Sequence, residues 1–313
     1  LGKPSEEYKI NVYPMDYEEF CDAVGLNYSI LRELSALNEG IGQATNRKLM
    51  RDLRIYMAVG GMPQAIEAYV AGMNFQQIDQ VKRQIIKLYE DDFKKIDPSG
   101  RISAMYHSIP AQLAKDSRKY SITTATGKRS SNKMEEMLYE LIDSKTVLPC
   151  YNTTDPSIGL KMNQDRTLLK YYMGDTGLLI SHAFDENGSV PQEIYRKLLL
   201  DKLEVDMGMV MENIVAQMLA SQGHKLYFYS NSDRENKENR MEIDFLIAKS
   251  AITNRHNISP IEVKSSKNYT LKSIQKFMAK YSEQLHIPYV LHPGDLMEKD
   301  GITYLPLYMA SFL

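Results

Sequence analysis

Met241-Glu242-Ile243-Asp244-Phe245-Leu246-Ile247 and, after a polar stretch, Ser259-Pro260-Ile261-Glu262-Val263-Lys264 are the two segments on which the fold reading turns. In both, apolar and charged positions alternate with a period of two, which sends every second side chain of a strand to one face. Glu262 and Lys264 then point the same way, with Ile261 and Val263 opposite. If Asp244 lies across from them on a neighbouring strand, two carboxylates and one ammonium converge. Hard oxygen ligands beside a cation are what Mg²⁺-assisted attack on a phosphodiester needs. An acid-x-Lys pattern also occurs on ordinary solvated sheet faces, so its neighbours must be read with it.

Working outward, Val210 to Gln222 carries a helical stripe of Val210, Ile214, Val215, Met218 and Leu219, with Gly223 placed as a C-cap. Lys225 to Ser230 reads as a strand, followed by the two segments above. Leu271 to Tyr281 is again amphipathic, and Ile287 to Leu291 is a last strand. The order helix, three strands, helix, strand resembles the core of the restriction-endonuclease-like superfamily (PD-(D/E)xK), whose signature is a carboxylate on the second strand and Glu-x-Lys on the third. The resemblance implies Asp244 and Glu262 as ligands to Mg²⁺, Lys264 as the group that polarises the nucleophile, and Glu212 on the first helix as an assistant to metal or water. Gln275 falls where several members carry a supporting polar residue.

Charge patterning adds a phosphate partner as one option. Between Val263 and Ser282 stand five lysines and no acidic residue, and Lys272, Lys276 and Lys280 recur at helical spacing. Such a stripe can neutralise DNA phosphates. It can equally be a solvated helix face. The chain as a whole, 313 residues with a net charge of −2, is not basic enough to coat nucleic acid indiscriminately. Its two cysteines, Cys21 and Cys150, build no disulfide framework and have no metal spacing, and its six histidines show no zinc pattern. With no apolar stretch of membrane-spanning length and no signal peptide, the expectation is a cytoplasmic protein without a membrane partner.

The N-terminal third reads as a strand at Lys9 to Val12, a turn at Pro14 and a helix capped by Asp16. Helices follow at Leu26 to Leu37, Asn46 to Val59, Gln64 to Tyr69 and Phe75 to Phe93. The runs Tyr13-Pro14-Met15-Asp16-Tyr17-Glu18-Glu19-Phe20, Val59-Gly60-Gly61-Met62-Pro63-Gln64-Ala65 and Tyr89-Glu90-Asp91-Asp92-Phe93 resemble bacterial and archaeal AAA-family ATPases with a C-terminal domain of unknown function. Ser108-Ile109-Pro110-Ala111-Gln112-Leu113-Ala114 and Glu212-Asn213-Ile214-Val215-Ala216-Gln217 match the same pattern, as do the two motif strands.

One departure is large: the Gly-x-x-x-x-Gly-Lys-Ser/Thr loop that cradles phosphates is missing, and Thr126-Gly127-Lys128-Arg129-Ser130 does not supply it. The resemblance therefore implies a piece of a longer protein whose ATPase core lies upstream, with ATP held only when that core is present. Gly61 and Pro63 resemble the nucleotide-contacting Gly-x-Pro of a lid. The alternative is that Gly60-Gly61 ends one helix and Pro63 starts the next.

The middle region suggests a winged helix. It has helices at Ile102 to Ala114 and Ser131 to Ser144, the latter with a capping box to Glu135, and wing strands at Val147 to Asn152 and Thr167 to Met173. Lys128 and Arg129 lie in a basic cluster that would meet DNA phosphates.

The expected fold class is thus α/β multidomain. It comprises the end of an AAA core and a helical lid (1–97), a winged-helix-like domain (98–185), a linker (186–206) and a restriction-endonuclease-like αβββαβ domain (207–313). The expected function is Mg²⁺-dependent nuclease-like DNA processing governed by the ATPase core. The alternative is a non-catalytic DNA- or protein-binding regulatory module.

Overall fold

The computed structural model describes residues 10–313 except 38, 116–117, 204–205, 234–238, 249–256 and 267. Lys9 and most of the connection between the two motif strands lie outside them. Residues 10–13 do not form the expected strand; Ile10 and Val12 are exposed, and no described strand pairs with them. Helix α1 (Tyr17–Val24) does begin at Asp16. The Asp16 carboxylate accepts the Glu19 N–H and the Glu19 carboxylate accepts the Asp16 N–H, each at 2.9 Å, which satisfies two otherwise orphaned donors.

Helices α2 (Ser29–Leu37), α3 (Gln43–Val59), α4 (Pro63–Val70) and α5 (Phe75–Ile96) follow. The single helix expected over 102–114 is two, α6 (Arg101–His107) and α7 (Ile109–Leu113), because Pro110 has no N–H to continue the ladder. Next come α8 (Ile122–Thr126) and α9 (Asn132–Asp143). The expected capping box at α9 is not formed, since the Ser131 side chain makes no cap bond and Ser130 meets Glu135 only at 3.4 Å.

The anticipated linker contains α11 (Gln192–Leu199), preceded by α10 (Thr176–Ala183). Tyr195 and Leu198 of α11 are buried, so this segment is part of the core. A buried polar centre holds it there. Lys82 Nζ donates to the Ala58 carbonyl at 2.7 Å and to the Tyr195 hydroxyl at 3.1 Å, while Asp79 accepts the Val190 N–H at 3.0 Å. Satisfied polar groups of this kind fix one packing among several, because any other leaves a buried donor unpaired.

The strands are β1 (Val147–Thr153), β2 (Gln164–Met173), β3 (Leu226–Asn231), β4 (Met241–Ala248), β5 (Ile258–Val263), β6 (Tyr289–His292), β7 (Met297–Lys299) and β8 (Ile302–Pro306). Helix α12 (Met207–Ser221) precedes β3 and α13 (Lys272–Lys280) precedes β6, so helix, three strands, helix, strand occur in the expected order. Strands β7 and β8 were not anticipated. The eight strands of the described residues form one mixed sheet, ordered β2-β1-β3-β4-β5-β6-β8-β7. The β1–β2 hairpin expected as the wing of a separate domain is instead an edge of this sheet, with β1 pairing in parallel to β3.

One face packs on α12, through residues such as Phe228, Phe245, Ile261 and Leu291. The other packs on α13, whose Ile274 and Phe277 meet Tyr229, Ile243, Leu246 and Val290. The α12 core is continuous with that of α1–α5, so the N-terminal helices are bound to the sheet by apolar packing.

The Gly60-Gly61 corner is where α3, α4 and α10 meet. The buried Asp175 carboxylate accepts the Gly61 N–H at 2.5 Å and the Leu178 N–H at 2.8 Å. A Cβ on Gly61 would lie 2.2 Å from the Met15 carbonyl oxygen, a backbone atom that cannot swing away. Gly61→Ala should therefore destabilise the protein by about 3 kcal/mol in urea unfolding. Gly72→Ala, with φ +82° but open space around it, should cost only about 1 kcal/mol. Equal losses would show that backbone conformation, not packing, sets the requirement.

Candidate functional site

Glu212 sits in the middle of α12 with its carboxylate buried against the sheet. A lone carboxylate there would be costly, and three groups answer it. The Tyr172 hydroxyl donates to one oxygen, the Arg118 guanidinium pairs with the other, and Lys170 Nζ lies 3.5 Å away. Lys170, wholly buried in β2, also reaches Glu242 Oε1 on β4 at 2.8 Å and rests over the Phe228 ring. Arg118 comes from the segment after α7, in left-handed backbone at φ +45°, and lies across α12 at Gly208, where a Cβ would stand 3.0 Å from its Nη2.

Asp244 joins this centre from β4. Tyr227 pairs with Leu246 and Tyr229 with Ile243, so Asp244 and Phe245 together oppose Phe228 in a β-bulge. Phe245 packs on the α12 side while Ile243 and Leu246 pack on the α13 side. The bulge thus turns Asp244 toward Glu212. Its Oδ2 accepts the Val263 N–H at 2.8 Å, just past the last β4–β5 pair, Phe245 with Ile261. Burial, reinforced by repulsion from Glu212 and opposed by Lys170, pushes the Asp244 pKa up to about 7. Burial also works against ionised Glu212, but Lys170 and Arg118 overcome it and hold that carboxyl below its ordinary range.

Glu262 and Lys264 go elsewhere. Ile261 and Val263 pack on the α12 side, so alternation places Glu262 on the side covered by α13. Lys264 pairs with it, and neither Glu262 oxygen has a well-formed hydrogen bond. Burial raises the Glu262 pKa, against the pull of Lys264 and the Ile274 N–H. The three expected residues thus divide. Asp244 accepts the Val263 N–H and faces Glu212, Lys170 and Arg118, and repulsion from Glu262 on the neighbouring strand adds to the rise of its pKa. Glu262 itself pairs with Lys264.

For Mg²⁺, the open oxygens of Glu262 suit a ligand, but Glu212 and Asp244 are engaged by Lys170, Arg118, Tyr172 and a backbone amide. Among the described residues no three Asp, Glu, His or Cys side chains are grouped as a metal ion requires.

The other anticipated contacts are dispersed. Lys272 is exposed on α13, Lys276 Nζ meets the Arg240 carbonyl at 3.3 Å, and Lys280 donates to the Tyr229 hydroxyl at 3.1 Å. Lys128 and Arg129 are exposed after α8, far along the chain from α13. Pro63 is the exposed first residue of α4, Gly60 follows the end of α3, and the Gly61 amide donates to Asp175.

The sequence reading did not single out Lys170, and it placed Arg118 only in the basic cluster of the middle region, not beside Glu212. Lys170 carried a signal, a lysine inside Leu168-Leu169-Lys170-Tyr171-Tyr172-Met173, because a charge within a buried strand must find a partner. Arg118 carried none, since its role depends on a loop crossing α12.

Two family profiles match the chain. One, described as a domain of unknown function (DUF8612), covers residues 50–188, and the other, a domain of unknown function (DUF4143), covers residues 207–309. The second is a domain typically found at the C-terminus of AAA-type ATPases, which is compatible with the AAA resemblance. No curated protein and no solved structure matches. No described helix is long and apolar enough to cross a membrane.

Removing the Lys170 ammonium leaves Glu212 and Glu242 facing each other's charge. Lys170→Met should cost about 3–5 kcal/mol, and adding Glu212→Gln should restore part of it. Asp244 gives a pH signature. Its folded pKa lies above the unfolded value, so its stabilising contribution is present in full below pH 4 and is lost as pH rises through about 7. Asp244→Asn should therefore flatten the fall in melting temperature between pH 5 and 8. An unchanged slope would mean that Asp244 ionises normally.

Proposed function

We propose that this chain is the C-terminal regulatory part of an AAA-type ATPase, with α1–α5 as its lid and α12 to β6 as a restriction-endonuclease-like core that serves as a non-catalytic module. The observation that carries the reading is Lys170, whose ammonium stands among Glu212, Glu242 and Asp244 where a hydrolytic centre would need a divalent cation. All three carboxylates act to keep that ammonium charged, against the cost of its burial. Together with Arg118 it makes the centre a structural ion network that ties α12 to the sheet.

A second reading, Mg²⁺-dependent phosphodiester hydrolysis, draws support from the unbonded oxygens of Glu262 beside Lys264. In that reading Asp244 and Glu262 hold the metal, Lys264 polarises water and Glu212 assists. Incubation of the chain with plasmid DNA and Mg²⁺ or Mn²⁺ separates the two. The regulatory reading expects no cutting beyond that of Asp244→Ala. Metal-dependent nicking abolished by EDTA, Asp244→Ala and Lys264→Ala would overturn it in favour of the nuclease.

The AAA assignment has its own check. Without a phosphate loop, adenine contacts at a lid cannot offset the entropy of association, at least ~4 kcal/mol. Calorimetry should find ATP binding to residues 1–313 no tighter than about millimolar. Micromolar affinity would reveal a nucleotide site that the lid reading does not contain.

A further inference from the structure

On the face of β2 away from Glu212, a cavity of about 730 Å³ opens between α8–α9 and the β1–β2 hairpin. Its volume falls within the ~300–1,000 Å³ usual for pockets that enclose a small organic group. Four tyrosines line it: Tyr120, Tyr139, Tyr151 and Tyr171. Tyr139 is 57% exposed at the mouth. Tyr171 is 1% exposed, and among the described residues its hydroxyl has no hydrogen-bond partner. A buried phenol without a partner is a donor still to be satisfied.

Three cations line the same cavity. Lys161 precedes β2, Lys225 leads into β3, and Arg166 sits where β2 carries extra residues, because Tyr151 pairs with Leu169 and Asn152 with Asp165. All three are exposed, and among the described residues none forms an ion pair. Partial burial, with repulsion from Lys161 and Arg166 added to it, pushes the Lys225 pKa down. Lys225 is held over the Tyr151 ring at 4.6 Å and donates to Gln164 at 2.8 Å. One acid, Glu135, also lines the cavity, but it meets Ser130 and among the described residues pairs with none of the three. A cation cluster in excess over acid, beside flat rings and an unused phenolic donor, is complementary to a phosphate joined to an aromatic base.

We propose that this cleft binds single-stranded nucleic acid. An unpaired base enters among the tyrosines, its edge accepting from Tyr171, while Lys161, Arg166 and Lys225 take the flanking phosphates. A duplex is excluded, because its bases are paired and stacked and cannot enter a recess. The site lies on the opposite face of β2 from Glu212, so the inference stands whether the ion network is structural or hydrolytic.

Fluorescence anisotropy of the full chain with a labelled oligothymidylate tests it, without metal so that no cutting intervenes. The single strand should bind about tenfold or more tighter than the matching duplex or thymidine monophosphate. The triple variant Lys161→Ala/Arg166→Ala/Lys225→Ala should bind weakly and lose most of the salt dependence. Tyr139→Ala should weaken binding about tenfold while Tyr139→Phe preserves it, as stacking requires. These side chains are exposed, and an unchanged melting temperature will show that the variants are folded. Absent binding, equal affinity for duplex or for the mononucleotide, or a triple variant that binds like the wild type would each overturn the proposal.

Discussion

The buried carboxylate of Glu212 is the constraint on which the architecture depends. Placed at the centre of α12, it cannot remain charged against an apolar sheet unless cations reach it, and the two that do come from distant parts of the chain. Lys170 is supplied by the edge strand β2 and Arg118 by the segment after α7. Satisfying one charge therefore fixes the helix against the sheet, the hairpin in register beside β3, and the α7–α8 connection across α12. Arg118 accepts a left-handed backbone to do so, and Gly208 leaves it room.

A second buried acid does the same work among the helices. Asp175 receives the amides of Gly61 and Leu178, so the corner between α3 and α4 is clamped to the start of α10. The close approach of Gly61 to the Met15 carbonyl adds a steric reason for glycine that owes nothing to a nucleotide. With Asp79 and Lys82 nearby, these contacts weld the N-terminal helices to the rest of the chain, and segments that read as separate domains share one core.

Strand β2 links two different chemistries. Lys170 and Tyr172 point to Glu212 and the acidic centre, whereas Leu169 and Tyr171 point to the tyrosine-lined cleft. A ligand seated on one face would press on the backbone that carries the other, and the adjoining bulge is the place where that backbone is least constrained by pairing. Strand β2 also meets α12, which packs on the N-terminal helices, so it is a short physical path between the cleft and those helices.

The sequence by itself determined the local elements. Asp16 announced α1, and the alternation around Asp244 and Glu262 placed β4 and β5, both through interactions between residues a few positions apart; the break at Pro110 is equally local, yet the apolar pattern ran one helix through it. It also determined that Glu262 and Lys264 share a face, since a period of two leaves no other choice. Only the tertiary structure decided which face Asp244 joined, because a bulge against Phe228 shifts the alternation by one residue. It likewise decided that Val147–Thr153 and Gln164–Met173 belong to the large sheet and that 192–199 is a core helix, as both depend on partners far along the chain. The cations of the acidic centre were settled the same way: Lys170 and Arg118 lie 42 and 94 residues from Glu212, beyond the reach of any local pattern.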